Sequence, residues 1–415
     1  MKKNSFWILK FSIFMTMIAA MHPWFLWGVD KSYFSFIIVI VIFISLLFSK
    51  KIFEFNSYKA WPIFLLFISA ILYSKGLEIK GYVAIIVSFV PYMILVFFKK
   101  QINVAILSFC TKGFSIVLLP SIIAYLFSYV ISLPSLGEFI HPASEKYIFD
   151  NYFFFIDFNS FPEFTLRRFS SIFLEPGYLG TCCALLLFAN NFNFKKRENK
   201  IILIALLFSL SLAGIFTFLL GLIFNELLTS KTIKSKVRFV FTVVMVFSVV
   251  FYFAQEYNGG DNAINLALFD RLELDSEKGI KGNNRITEKT DDEFKQFLST
   301  DLFWFGVDRT KFKSDIEDDL IQGAGYTIYL IQNGLVSVLV FFLFYLSIAA
   351  KSVDKIKSFF FLFLIIITFL QAAYPESGSW LIPFILGISN FDWEKKLNIN
   401  NLKKNKVPTR QIILT

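Results

Sequence analysis

Apolar runs of about 15 to 20 residues, separated by short clusters of lysine, recur from one end of the chain to the other. That is the length a helix needs to cross the hydrocarbon of a bilayer. In order, the pattern predicts spans over about 7–27, 33–48, 60–74, 82–98, 114–133 and 176–194, then two within 201–228, then about 237–255, 325–350, 358–373 and 380–391. Residues 101–112 are expected at the interface, because Lys112 is costly at a bilayer centre. The expected fold class is an all-α polytopic membrane protein of about twelve helices with a large, partly helical outside loop.

The basic clusters orient these spans, since lysine and arginine favour the cytoplasmic side. Lys2, Lys3 and Lys10 place the N-terminus inside. Lys195, Lys196, Arg197 and Lys200 form one inside cluster, and Lys231, Lys234, Lys236 and Arg238 another. An even number of crossings must lie between them. Residues 201–228 are therefore expected as two short or broken helices with a tight turn near Ser211–Gly214; one long tilted helix would break the parity. The resulting organisation is helices one to nine in 1–255, with an outside loop at 134–170. A large outside loop at 256–323, three helices in 324–393 and a cytoplasmic tail at 394–415 complete it.

Composition narrows the function. The chain is 56% hydrophobic, with 56 phenylalanines, which excludes a soluble globule. Its net charge of +10 sits in the loop clusters that membrane orientation requires and is no sign of nucleic acid. Cys110, Cys182 and Cys183 have neither metal-ligand nor disulfide spacing and are expected as small core residues. No cytoplasmic connection is long enough for a nucleotide-binding unit, so any substrate comes from the membrane or from outside. No cofactor and no metal are expected. Asp315-x-Glu317 has cation-binding spacing, but that spacing is cheap in so acidic a loop. The two histidines, His22 and His141, form no cluster.

The arginines are the informative charges. The chain has 8 of them beside 33 lysines, yet Arg167, Arg168, Arg271, Arg285 and Arg309 all fall on the expected outside, against the usual bias. Arginine grips phosphate with two parallel hydrogen bonds. In a loop with 16 acidic and 9 basic residues, internal salt bridges are the competing reading. The stretch from Arg167 to Leu179, R-R-F-S-S-I-F-L-E-P-G-Y-L, puts two arginines and Glu175 at the mouth of a helix that Pro176 is suited to begin. An interfacial anchor would look much the same. Within the large loop, Thr290-Asp291-Asp292-Glu293 reads as a capping box, followed by an amphipathic helix over about 291–299. Gly323, Gly325 and Tyr326 open the next span and leave room for close backbone approach.

Four segments, in this order, resemble the O-antigen polymerase and ligase superfamily of bacterial envelope polysaccharide assembly. They are R-F-S-S-I-F-L-E-P-G-Y-L-G at 168–180, S-L-S-L-A-G at 209–214, N-N-R at 283–285 with D-L-F-W-F-G-V-D at 301–308, and G-A-G-Y-T-I-Y-L-I-Q-N-G-L-V at 323–336. Ser171 stands where that family often has glycine. Ligases of the superfamily carry a histidine in the large loop; its absence here favours a polymerase. The resemblance implies a GT-C-like membrane glycosyltransferase in a bacterial inner membrane. It would need no metal, and it would join undecaprenyl-diphosphate-linked oligosaccharides on the periplasmic or outer face. Chain-length regulators and flippases of the same pathway, and membrane lipids, are the implied partners. Glu175, Arg168 and Arg285 are the expected catalytic residues. Arg167, Arg271, Arg309, Gly323, Gly325 and Tyr326 are expected to bind diphosphate or glycan. A ligase, or a transporter of lipid-linked oligosaccharide, is the alternative.

Overall fold

Pro176 begins a helix whose residues Leu179 through Ala189 are all buried. A helix that is apolar all round belongs inside other helices, and this one is the axis of the molecule. The computed structural model describes residues 3–47, 52–54, 56–141, 144–158, 167–230, 232–262, 264–265, 269, 274–275, 279–280, 294–307, 325–371 and 375–405. Helices α1 (Lys3–Ala19), α2 (Lys31–Leu47), α3 (Ser57–Tyr73), α4 (Ile79–Phe97) and α5 (Lys100–Phe127) lead to a small antiparallel sheet. Its strands are β1 (Glu138–His141), β2 (Ser144–Asn151) and β3 (Ile156–Phe158), in that order across the sheet. The central α6 (Pro176–Ala189) comes next, then α7 (Arg197–Phe208), α8 (Leu212–Thr229), α9 (Ile233–Glu256), α10 (Gly325–Ala350), α11 (Lys355–Gln371) and α12 (Gly378–Asn405). Helices α7, α8, α11 and α12 enclose α6, while α10 packs on α3 and α11.

Among the described residues, α4, α5, α8, α10 and residues 233–260 are long and apolar enough to cross a membrane. Apolar stretches of α1, α2, α3 and α6 are shorter. By length and composition this is a helical membrane protein; twelve spans is a larger number than length alone supports. Helix α9 is the extreme case of an apolar surface without protein around it, since Ala254 is its one buried residue.

Two expectations about helix boundaries meet different fates. Residues 197–229 form two helices, α7 and α8, with their turn at Ser209–Ser211. Ser211 caps α8, its hydroxyl accepting from the Gly214 N–H at 3.2 Å. Residues 101–112, by contrast, are not a separate interfacial segment. They are the first half of α5, a single helix of 28 residues. Ile106, Leu107, Cys110, Phe114 and Leu118 continue its buried stripe without a break, and Lys112 lies exposed on the opposite side, where its long stem can carry the charge toward an interface. The sheet at 138–158 is an element that a helical reading of the pattern missed.

Helices α6 and α8 cross with their backbones in contact. A Cβ on Gly214 would lie 2.6 Å from the carbonyl carbon of Gly180, and one on Gly180 would lie 2.6 Å from Cβ of Ser211. Lower down, Gly221 lies against Phe188 and Phe192, so the two helices run parallel. At the far end Asp392 joins three elements. Its Oδ1 accepts from Ser352 Oγ at 2.6 Å, Val353 N at 2.7 Å and Asp354 N at 3.1 Å, and its Oδ2 pairs with Lys100. Asn390 donates to the carbonyl of Ala189 at 3.0 Å. Just past the end of α6, Asn190 donates to Thr111 Oγ1 at 2.9 Å, eleven residues into α5. At 1.5 Å per residue, the 28 residues of α5 run about 42 Å and the 14 of α6 about 21 Å. From Thr111, α5 runs about 24 Å to Phe127 against the about 21 Å of α6, so the two reach a similar height, and Tyr125, Leu126 and Tyr129 form one wall of an open recess at the Pro176 end.

Gly214→Ala and Gly180→Ala should each destabilise the protein by about 1–3 kcal/mol, the cost of overpacking a tight contact. Gly28→Ala, with nothing within 4 Å of the added carbon, should be silent. Thermal denaturation in detergent checks all three, and equal midpoints would remove the crossing from the account of the fold.

Candidate functional site

The segment leading into α6 is laid across the α7–α8 turn. Phe169 N donates to the carbonyl of Phe208 at 3.0 Å, and Arg168 Nε to that of Ser209 at 3.4 Å. With the Gly180–Gly214 contact, the segments 168–180 and 209–214 are thus one structural unit. The Arg168 side chain is exposed at the recess. Ser171, fully buried, has φ +55°, a left-handed conformation that costs a side-chain-bearing residue about 1–2 kcal/mol. Here the hydroxyl has a use, donating to Ser121 Oγ of α5 at 2.9 Å.

Glu175 is the residue before α6, in extended conformation, and its side chain makes no capping hydrogen bond. The carboxylate is half-buried and near the helix start without closing it. The end of α1 lies against this point. Leu174 N donates to Met21 O at 3.4 Å, and the His22 ring stacks on Tyr178 with centroids 5.9 Å apart. Ala20 and Thr16 of α1 also lie against Gly378, where α12 begins. Helices α6 and α12 therefore both start around the end of α1, and α8 starts beside Gly180 of α6. Ser211 caps α8 and Ser377 Oγ accepts from Ser379 N at the start of α12, so the dipole end at this point is that of α6.

Arg167 has a different situation from Arg168. Its Nη1 donates to Asp157 of β3 at 2.5 Å and its Nη2 to Ser128 at 2.7 Å, and its guanidinium stacks on Tyr129 at 4.9 Å. The Tyr125 hydroxyl donates to its carbonyl. Burial lifts the Asp157 carboxyl above its ordinary value, and the charge and hydrogen bond of Arg167 reverse this only in part. Arg167 thus ties the sheet to the end of α5. Beside it, Tyr125, Leu126, Tyr129, Phe208 and Leu210 line an open, almost wholly apolar cavity of about 230 Å³.

The later motifs meet in the same way as the first two. The helical turn Leu302–Phe305 ends at Gly306 (φ +72°), which docks on Gly334 (φ +74°), where α10 is broken. A Cβ on Gly334 would lie 2.4 Å from Gly306 N. Val307 N donates to Ile331 O at 2.9 Å, giving a donor to a carbonyl next to the break. Lys75 Nζ reaches the carbonyls of Phe305 and Gly306 at 3.3 and 3.0 Å. The amphipathic helix is present over 294–298, with Phe294 and Phe297 turned to α10. Gly325 starts α10, buried, and the Tyr326 ring stands edge-on to Phe294.

Arg271, Arg285, Arg309 and Gly323, together with Asp315 and Glu317, lie outside the described residues. Among the described residues no group of three or more His, Cys, Asp or Glu could hold a metal ion. Two residues have surroundings that their sequence context does not suggest. His22 is brought to the start of α6 by a positive φ of 53° that no local pattern announces. Glu376, just ahead of α12, is buried, with its charge in reach of Tyr92 and Tyr345. Compared with protein-family models, with curated proteins and with solved structures, the chain shows no significant match.

If the Gly306–Gly334 contact holds the loop to α10, Gly334→Ala must release it. Amide exchange over 294–307 should rise about tenfold or more, the effect of about 1.4 kcal/mol of lost local stability. Unchanged exchange at normal expression would mean that the contact holds nothing.

Proposed function

We propose that this protein is a polymerase of lipid-diphosphate-linked oligosaccharides, moving a growing glycan onto a sugar hydroxyl of the next lipid-linked unit. The observation that carries the reading is the recess at the Pro176 end. Arg168 and Glu175 stand there at the start of α6, beside an open apolar cavity. A helix N-terminus and an exposed arginine favour a diphosphate. The cavity's aromatic and aliphatic lining is suited to an isoprenoid tail. Glu175, not engaged in capping, is the carboxylate assigned to take the proton from the attacking hydroxyl. As the glycosidic bond to the new hydroxyl forms, the bond to the lipid diphosphate breaks, and the arginines stabilise the departing charge. Arg271 and Arg285 are assigned to the same diphosphate work, with about twelve crossings and this face on the periplasmic or outer side of a bacterial inner membrane. Arg167 has a more structural part, since Asp157 and Ser128 already occupy its fork.

A complementation panel separates these roles. Arg168→Lys keeps the charge and loses the fork, and should cost about 1.5–3 kcal/mol, or about tenfold or more in rate, at normal protein level. Glu175→Gln should abolish polymer while leaving protein level intact. Arg167→Lys should lower protein level instead. Normal chain length from Arg168→Lys and Glu175→Gln together would make this stretch an anchor and end the proposal. Purified protein given lipid-linked repeat units should make a ladder of products on a gel, and the ladder should persist in EDTA; loss restored by magnesium would direct attention to Asp315 and Glu317.

A further inference from the structure

The turn between β2 and β3 reads Tyr152-Phe153-Phe154-Phe155, four aromatic residues at the tip of a polar sheet. Phe155 is buried, but Phe153 and Phe154 are 54% and 45% exposed. A loop in water leaves its carbonyls to solvent. In this one, every carbonyl has a protein donor. Tyr152 O accepts from Phe154 N at 2.8 Å and Phe155 O from Tyr152 N at 3.0 Å. Phe153 O accepts from the Trp24 indole at 3.2 Å and Phe154 O from Ser121 Oγ at 2.6 Å. Phe153 N in turn donates to Asn151 Oδ1 at 2.7 Å. Phe153 also holds φ +67°, a strained value for a residue with a side chain. All four carbonyls and the N–H groups of Tyr152, Phe153 and Phe154 are thus taken up inside the protein, which goes most of the way to meeting the condition for leaving water.

The depth of the tip agrees. Ser121 lies six residues before the end of α5, about 9 Å along its axis. Farther out on α5 and just beyond it, Ile123, Leu126, Phe127 and Val130 are exposed and apolar. A leaflet that covers Val130 covers the tip as well. We infer that residues 152–155 are an aromatic wedge inserted into the hydrocarbon of the leaflet at the Pro176 end, and that its occupant is lipid acyl chain. This needs only that the bundle spans a membrane and is independent of the reaction proposed above. The wedge is also wired to the candidate site, because Ser121 Oγ receives the Ser171 hydroxyl at 2.9 Å and Ile156 N donates to Ser171 O at 2.9 Å. The depth of the wedge therefore positions the segment that carries Arg168 and Glu175.

Phe153→Cys and Phe154→Cys, each carrying a nitroxide, test this in lipid nanodiscs; the three native cysteines are buried and will not compete for the label. Collisions with oxygen should exceed those with a water-soluble nickel chelate, as at an Ile123→Cys reference. Nickel in excess would place the tip in water, and shielding from both reagents would place protein over it; either overturns the inference. The unaltered protein gives a second reading that no folding defect can confuse. A phospholipid with a diazirine at its acyl terminus should leave adducts on Phe153 or Phe154. Adducts over 123–130 with none over 152–155 would overturn the wedge.

Discussion

The crossing of α6 and α8 at Gly180 and Gly214 is the contact on which the recess depends. Neither position has room for a Cβ, so the two helices approach until backbone meets backbone. Dispersion between close-packed atoms and an absence of side-chain entropy to lose are what hold helices together where water cannot. The approach brings the start of α8 beside the start of α6. It also fixes the Ser209–Ser211 turn at the height where Phe169 and Arg168 can bond to its carbonyls. With a bulkier pair at the crossing, the turn would stand off and the arginine and the glutamate would sit on unrelated elements.

The two neighbouring arginines show how position decides role. Arg167 faces β3 and finds Asp157, Ser128 and the face of Tyr129, so its donors are used within the protein. Arg168, one residue on, bonds to a carbonyl of the α7–α8 turn and stays exposed. The sequence offered both an anchor and a ligand site in this stretch, and the structure gives each arginine different surroundings in which to act.

Features written in local chemistry were legible in advance. Pro176 marked the start of α6, the lysine clusters required a break between Lys200 and Lys231, and Phe294 with Phe297 announced an amphipathic turn. What could not be read depends on contacts between distant residues. Lys112 looked like an obstacle to a helix because the buried stripe on the other side of α5 is visible only once its neighbours are placed. The sheet was hidden because its short strands lie in a stretch read only as an outside loop, and their pairing joins residues such as Glu138 and Asp150 that no local pattern links. Gly334 is an ordinary glycine in an apolar run until the turn ending at Gly306 is docked on it. Nor does any pattern bring His22 to Tyr178, or bury Glu376 within reach of Tyr92 and Tyr345.

Helix α9 has a consequence of another kind. With Ala254 alone buried, it owes almost nothing to the packing that holds the other helices. Its hydrogen bonds are its own, and among the described residues its side-chain neighbours are few, Phe269 against Phe247 and Phe251 being one set. Such a helix is joined to the body by its ends, as a hinged panel is joined to a frame. In a bilayer the exposed apolar face of α9 is left for lipid to cover, so a detergent that strips lipid acts on this helix before the packed ones.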